Sequence, residues 1–412
     1  GAGTSITGGI IDVTSTASSA IRGGAGSLSL GFGAAAVGLS IIESHVANTV
    51  SAEVDGARLR ASSDVVLRAG STATIDTFAM GVAMSRNVGL AGAVVNNSVA
   101  TDVGATITGA DIIAGNNLGV LAGNNDHITA WADALGVTLA GPSVAGGLSI
   151  VNNTIGGETT ASIGADSVVD ARGGGSALSY NAGQLVTTFD LTTANDPTDG
   201  RPSLVMASRS IRGLGVVATS QQSILSNAVT SGLAIFPVSA AIAIVPIRNV
   251  LAGSTSATID DSLVNTRLTG TDSTAVAIEA ASHSYAATFI TVGSVGGVAA
   301  AGADANTIMG RNTHAGLTNS TLGTTTPGFT GPGTTALDIA ANASQSAASN
   351  VLGFAIGFGG AAASGVVNSF AATTTATLDQ GLVTAGRVGV NAESRNGFYA
   401  QAVSGAAGGA AM

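Results

Sequence analysis

Few residues in this chain could move a proton or hold a metal near neutral pH. The histidines are His45, His127, His283 and His314, and no two stand at the spacing of a metal-ligand pair. A zinc centre needs three or four converging ligands, and the chain contains no cysteine. Asp126-His127 has the composition of half a catalytic pair, but no Ser, Cys or second acid at a recognised spacing completes it. The histidines therefore read as isolated polar or partly buried side chains. The carboxylate pairs Asp260-Asp261, Asp166 with Asp170, and Asp196 with Asp199 could offer oxygen ligands to calcium. The nine-residue glycine-aspartate repeat of calcium-binding β-rolls is missing. Turn capping is the stronger reading of these acids, and no cofactor is expected, with calcium the one ion left open.

Sugar-processing chemistry needs clustered carboxylates or a base in a groove, usually with aromatic rings to hold the substrate. Trp131 is the only Trp, the tyrosines Tyr180, Tyr285 and Tyr399 lie far apart, and there is no Lys. Polysaccharide binding or cleavage is thus a minor alternative. The glycine-rich stretches Gly293–Gly302 and Gly353–Gly360 lack the Gly-Lys-Ser/Thr ending of a phosphate loop. The threonine runs 324–326 and 373–375 lack the regular Thr-x-Thr of an ice-binding face. No catalytic, cofactor-binding or metal-binding residue can be named, and the expected protein is not an enzyme.

Composition points the same way. Of 412 residues, 9% are charged, 3% aromatic and 45% hydrophobic, and 59 are Gly. Small and β-branched side chains suit thin, closely stacked layers rather than a thick aromatic core. All 14 basic residues are Arg, set against 24 carboxylates for a net charge of -10. Phosphate backbones require a basic stripe, so nucleic acid is excluded as a partner. The apolar runs Leu233–Ile247 and Val351–Val367 approach membrane length, but Pro237 and Pro246 interrupt the first and five glycines dilute the second. They read as strands buried on both faces, with no membrane span. Residue 1 begins in mid-pattern and Met412 ends a Gly/Ala run, which suggests a piece of a longer or processed chain.

The elements that must position all of this are repeats. Ala-x-(Ile/Val/Leu) recurs with its Ala at 52, 105, 161, 257, 315 and 376, in steps of 53, 56, 96, 58 and 61 residues. A second motif, apolar-x-apolar-x-Ala, begins at Val65, Leu118, Leu214, Val276, Leu337 and Val388. Its period of two marks a strand with one buried face. The 96-residue step contains an insertion, with residues 173–203 rich in Gly, Pro and Asp and so expected as a surface excursion. A shorter loop is expected at 324–335, where Pro327 and Pro332 fall. An Asn precedes most copies of the first motif: Asn97, Asn153, Asn249 and Asn368 by 8 residues and Asn306 by 9, with Ser44 at this place in the first unit. These asparagines are expected at equivalent structural turns, since Asn tolerates left-handed backbone and its amide can bond nearby main chain. Stacked side-chain amides can also bond one another along a repeat axis.

A strand-rich repeat that cannot close its own core must stack on its neighbours. The whole chain, 1–412, is expected to be one array: all-β, a right-handed parallel β-solenoid (β-helix) built from imperfect repeats of roughly 53–60 residues. Each repeat is either one wide coil or two narrower ones, and two is the favoured reading. The Ala-x-Ile and Val-x-Val-x-Ala units resemble those of very large secreted bacterial filamentous adhesins, of the leukotoxin-like autotransporter type. The resemblance covers about residues 28–412 outside the insertion. It implies an extracellular, cell-surface stalk whose partners are neighbouring repeats or other copies end to end, with host-cell or matrix contacts made by parts outside this segment. A self-assembling filament subunit is the alternative.

Overall fold

The computed structural model describes residues 3–181, 208–236, 238–269, 272–324 and 333–411. Among them there is no helix. Each coil begins with a short strand, runs out along a strand of about twenty-one residues, turns, and returns along a second one of similar length. The short strands are Ser5–Gly8, Arg58–Ala61, Asp111–Ala114, Val168–Ala171, Leu263–Val264, Thr321–Leu322 and Leu382–Val383, stacked in that order as a short face. The outgoing strands form face I: Ile11–Gly31, Val65–Ser85, Leu118–Thr138, Gly213–Ala234, Ser273–Val295, Gly333–Ile356 and Val388–Ala407. The returning strands form face II: Ala35–Asp55, Val88–Thr108, Ser143–Gly156 with Glu158–Ile163, Ser239–Asp260, Val298–Thr318, Gly359–Phe370 with Thr374–Asp379, and Ala410–Ala411. Pairing between successive coils is parallel on all three faces. Strands of this length run about 70 Å, and seven rows about 4.8 Å apart rise about 29 Å. The body is a flat parallel β-solenoid.

The repeat anchors stack as Cα partners: Ala52 on Ala105, Ala105 on Ala161, Ala161 on Ala257, Ala257 on Ala315, and Ala315 on Ala376. One repeat is therefore one rung, which corrects the reading of two narrower coils. Inward and outward side chains alternate along the whole of a long strand, with no turn at its middle. The Gly/Ala/Val runs that resemble separate, doubly buried strands are instead the far ends of these long strands. Leu233–Ile247 and Val351–Val367 each finish a face I strand, round the far turn, and start a face II strand.

The interior is banded across its width. Nearest the short face, the two motifs meet in one apolar cluster, Ala52, Val54, Leu67 and Ala69 with their equivalents in later coils. A second apolar band holds Ile75, Ile128, Ile224, Val99, Ile155 and Leu251. A third holds Ala79, Ala132, Val95, Val151, Ile247 and Ile290. Between these bands run columns of buried polar side chains. Among the described residues the only antiparallel pair, Leu178–Asn181 with Ser208–Ile211, forms the base of the insertion. Its Tyr180 and Ile211 pack with Val217 and Ala277 on the outside of face I. Residues 182–207 and 325–332, with Asp196 and Asp199, lie outside the described residues.

Candidate functional site

The most ordered polar feature is an asparagine ladder between the second and third apolar bands. Asn97 pairs in register with Asn153, and Asn153 with Asn249. The Asn97 Nδ2 donates to Asn153 Oδ1 at 3.0 Å, and Asn153 Nδ2 donates to Asn249 Oδ1 at 3.1 Å. Each amide also reaches across the interior to face I. Asn97 donates to Thr77 Oγ1 at 2.8 Å, Asn153 to Ser226 Oγ at 2.8 Å, and Asn249 to Thr288 Oγ1 at 2.9 Å. Ser226 completes the network by donating to Asn249 Oδ1 at 2.7 Å. All three asparagines are buried. The ladder ties coil to coil and face to face.

This placement corrects two expectations. The asparagines stand near the middle of extended strands, not at turns. Asn306 is not in the ladder: Asn249 pairs with Thr307, and Thr307 with Asn368, while Asn306 pairs with the outward-facing Arg248. Its offset of 9 rather than 8 from the following Ala is the cause, because one residue along a strand reverses the face. Asn368 rejoins the column one row later, where its Oδ1 accepts from Ser349 at 3.4 Å.

A second polar column lies between the first and second apolar bands. On face I, Ala73, Asp126, Gln222, Ser284 and Gln345 stack in register. Opposite them Arg311 is fully buried. Its guanidinium extends back over two coils, donating to Ser254 O at 2.7 Å, Thr255 Oγ1 at 2.9 Å, Ala252 O at 3.2 Å, and Gly157 O and Thr159 Oγ1 at 3.3 Å. Space for it comes from Gly253, where a Cβ would stand 2.1 Å from Gly157 O and 2.9 Å from Arg311 Nη1. The φ of Gly253 is +113°, so a side chain there is also strained by its backbone. Asp126 accepts from Asn124 Nδ2 at 2.7 Å and Thr101 Oγ1 at 3.4 Å. Burial raises its pKa to about 6, although Asn124, the Arg311 charge and Thr101 act in the opposite direction. Burial likewise lowers Arg311 to about 10, leaving it charged at neutral pH.

The ionic residues outside serve as clamps. Asp111 on the short face accepts from Arg60 at 2.5 Å, Arg267 at 2.7 Å and Arg58 at 3.0 Å. Burial would raise its pKa, but these three guanidiniums outweigh it and hold the carboxyl well below the usual range. Arg267 also grips the buried Asp170 at 2.5 Å, so its side chain spans several rows. At the base of the insertion, a cleft of about 300 Å³ is lined by Tyr180, Arg209, Arg212, Glu279 and Asp338. Both of its acids are engaged, Glu279 with Arg209 at 2.5 Å and Asp338 with Arg387 at 2.6 Å.

The remaining candidates are dispersed. Asp126 points inward and His127 outward from the same strand, so they form no catalytic pair. The His127 ring bonds Ser223 Oγ at 2.7 Å and Thr129 Oγ1 at 2.8 Å, and His314 bonds Thr375 Oγ1 at 2.9 Å. His283 is buried, which lowers its pKa to about 4. Asp166 and Asp261 hold left-handed turn positions with φ of 61° and 46°. Among the described residues no three His, Asp or Glu side chains converge as metal ligands. Sequence reasoning missed Arg311 and Asp126 as a buried set. Their sole sequence signal is a charge placed at inward parity in a strand that otherwise alternates cleanly.

Fold and site together define a class, a wide-coil parallel β-solenoid with polar ladders in its core. No family model, curated protein or solved structure matches the chain.

Proposed function

We propose that this chain is a structural and adhesive segment of a secreted bacterial surface fibre or stalk, and that it is not an enzyme. The observation that carries the reading is the use of its polar side chains. Buried Asn153, Asn249 and Arg311 bond from coil to coil, and the Arg58, Arg60, Asp111 and Arg267 cluster ties the short face from outside. Such groups hold a long array in register, and an array in which each repeat rests on its neighbours is a spacer by construction. Stalk, surface location and host contacts are what the adhesin-like repeats imply.

A second reading, which uses the same row-on-row parallel pairing, is a filament subunit that stacks end to end. Electron microscopy of the purified chain separates the readings. Discrete flat bodies of constant size support the stalk, and fibres that lengthen with concentration support the subunit. Release of soluble sugars from a polysaccharide panel by the purified chain would overturn both.

A further inference from the structure

Charge is distributed very unevenly across the width of the coil. The register defines the far half, next to the turn joining face I to face II, as residues 24–42, 78–95, 131–151, 227–247, 289–305, 350–366 and 401–412. Those segments contain three charged residues, Arg86, Asp133 and Asp304, out of 14 Arg and 24 carboxylates in the chain. Of 35 exposed large hydrophobic side chains among the described residues, 26 lie there. Eight of the other nine belong to rows at the two ends of the stack, leaving Leu263 as the exception.

These side chains occupy three surfaces at once. The outside of face I carries Phe78, Trp131 and Phe354, the outside of face II carries Leu39, Leu148 and Ile244, and the turns between them present Phe32, Val238 and Phe358. Phe32 is 92% exposed, Val238 75% and Phe358 66%. Turn tips normally carry polar residues, and exposed apolar patches of this extent mark interaction sites.

We propose that this edge of the solenoid inserts into the surface of a lipid bilayer with zwitterionic headgroups. The apolar surface is a convex ridge continued on both flanks. A rigid second copy meets one flank at a time, whereas fluid lipid meets the tip and both flanks together. Immersion also requires satisfied backbone groups, and the strand ends that flank the turns bond their neighbours on both sides in every interior row. The net charge of -10 and the single Arg86 on the edge give no attraction to anionic headgroups. Depth is set by the turn tips and the strand ends beside them, about 5–10 Å as for other interfacial elements. The proposal is independent of the fibre reading, since any parallel stack with this edge would behave alike.

Flotation of the full chain with phosphatidylcholine vesicles tests it. The parent should rise with the lipid, and Phe32→Asp/Val238→Asp/Phe358→Asp should reduce the floated fraction at least tenfold, the order expected from replacing buried apolar groups by charges. Circular dichroism of the variant should match the parent. Should the variant misfold, Phe358→Trp in a Trp131→Phe background gives a second readout. Its fluorescence should be quenched by brominated phosphatidylcholine. Absence of both flotation and quenching overturns the proposal. So does a parent that sediments as a dimer or larger assembly and ignores vesicles, which would assign the edge to a second copy.

Discussion

Asp126 carries the clearest energetic consequence of any single residue. It is fully buried, and that burial pushes its pKa up from the ordinary aspartate value near 4 to about 6. Between those values the unfolded chain releases a proton that the folded chain retains. Folding stability therefore falls as pH rises through this window and stays reduced above it. A rise of that size corresponds to roughly 3 kcal/mol. Asn cannot ionise and has nearly the same shape. Comparing Asp126→Asn with the parent by urea unfolding, the variant should gain roughly 3 kcal/mol on the parent between pH 4 and pH 8. A pH-independent difference would place Asp126 in a solvated setting. The opposite trend applies to His283, held neutral by burial, whose contribution is lost as pH falls from about 6.5 toward 4.

The strand is the scale at which register is decided. Asn153 and Asn249 each bond a neighbouring coil and the opposite face, so removing either amide leaves buried partners unsatisfied. Asn153→Ala and Asn249→Ala should each cost about 1–3 kcal/mol in chemical denaturation. Asn306→Ala, one residue out of phase, half-buried and with its Oδ1 unpartnered, should cost less than about 1 kcal/mol. Equal losses at all three would return Asn306 to the ladder and shift the register of Val298–Thr318. The motifs made much of this legible. Ala-x-Ile and apolar-x-apolar-x-Ala named inward positions because parity in a strand is strict, and all six copies of each stack as partners. The asparagine column was visible too, apart from Asn306. What the sequence hid was the role of that column. Asn favours turns in isolation, and only the opposing Thr77, Ser226 and Thr288 on face I make a mid-strand amide stable.

At the scale of the whole molecule, width and height follow from one rung per repeat. The apolar far-end runs concealed this. A strand buried on both faces and a strand with one buried face and one exposed apolar face have the same composition, and only the fold tells them apart. The long flat coil explains how a chain with few aromatics builds a core, since small side chains from two broad faces interlock over many rows. It also places the charged clamps on the short face and the charge-poor ridge at the far turn. The rung count can be measured because the chain has no native cysteine. Thr106 and Ser162 are outward-facing Cα partners in adjacent rows of face II. With one rung per repeat they stand about 4.8 Å apart, and with two narrower coils about twice that. A disulfide needs Cα atoms within about 7 Å. Under mild oxidation Thr106→Cys/Ser162→Cys should form an intramolecular bond in nearly all molecules without loss of stability. A double variant that stays reduced while folded would contradict the wide-coil solenoid.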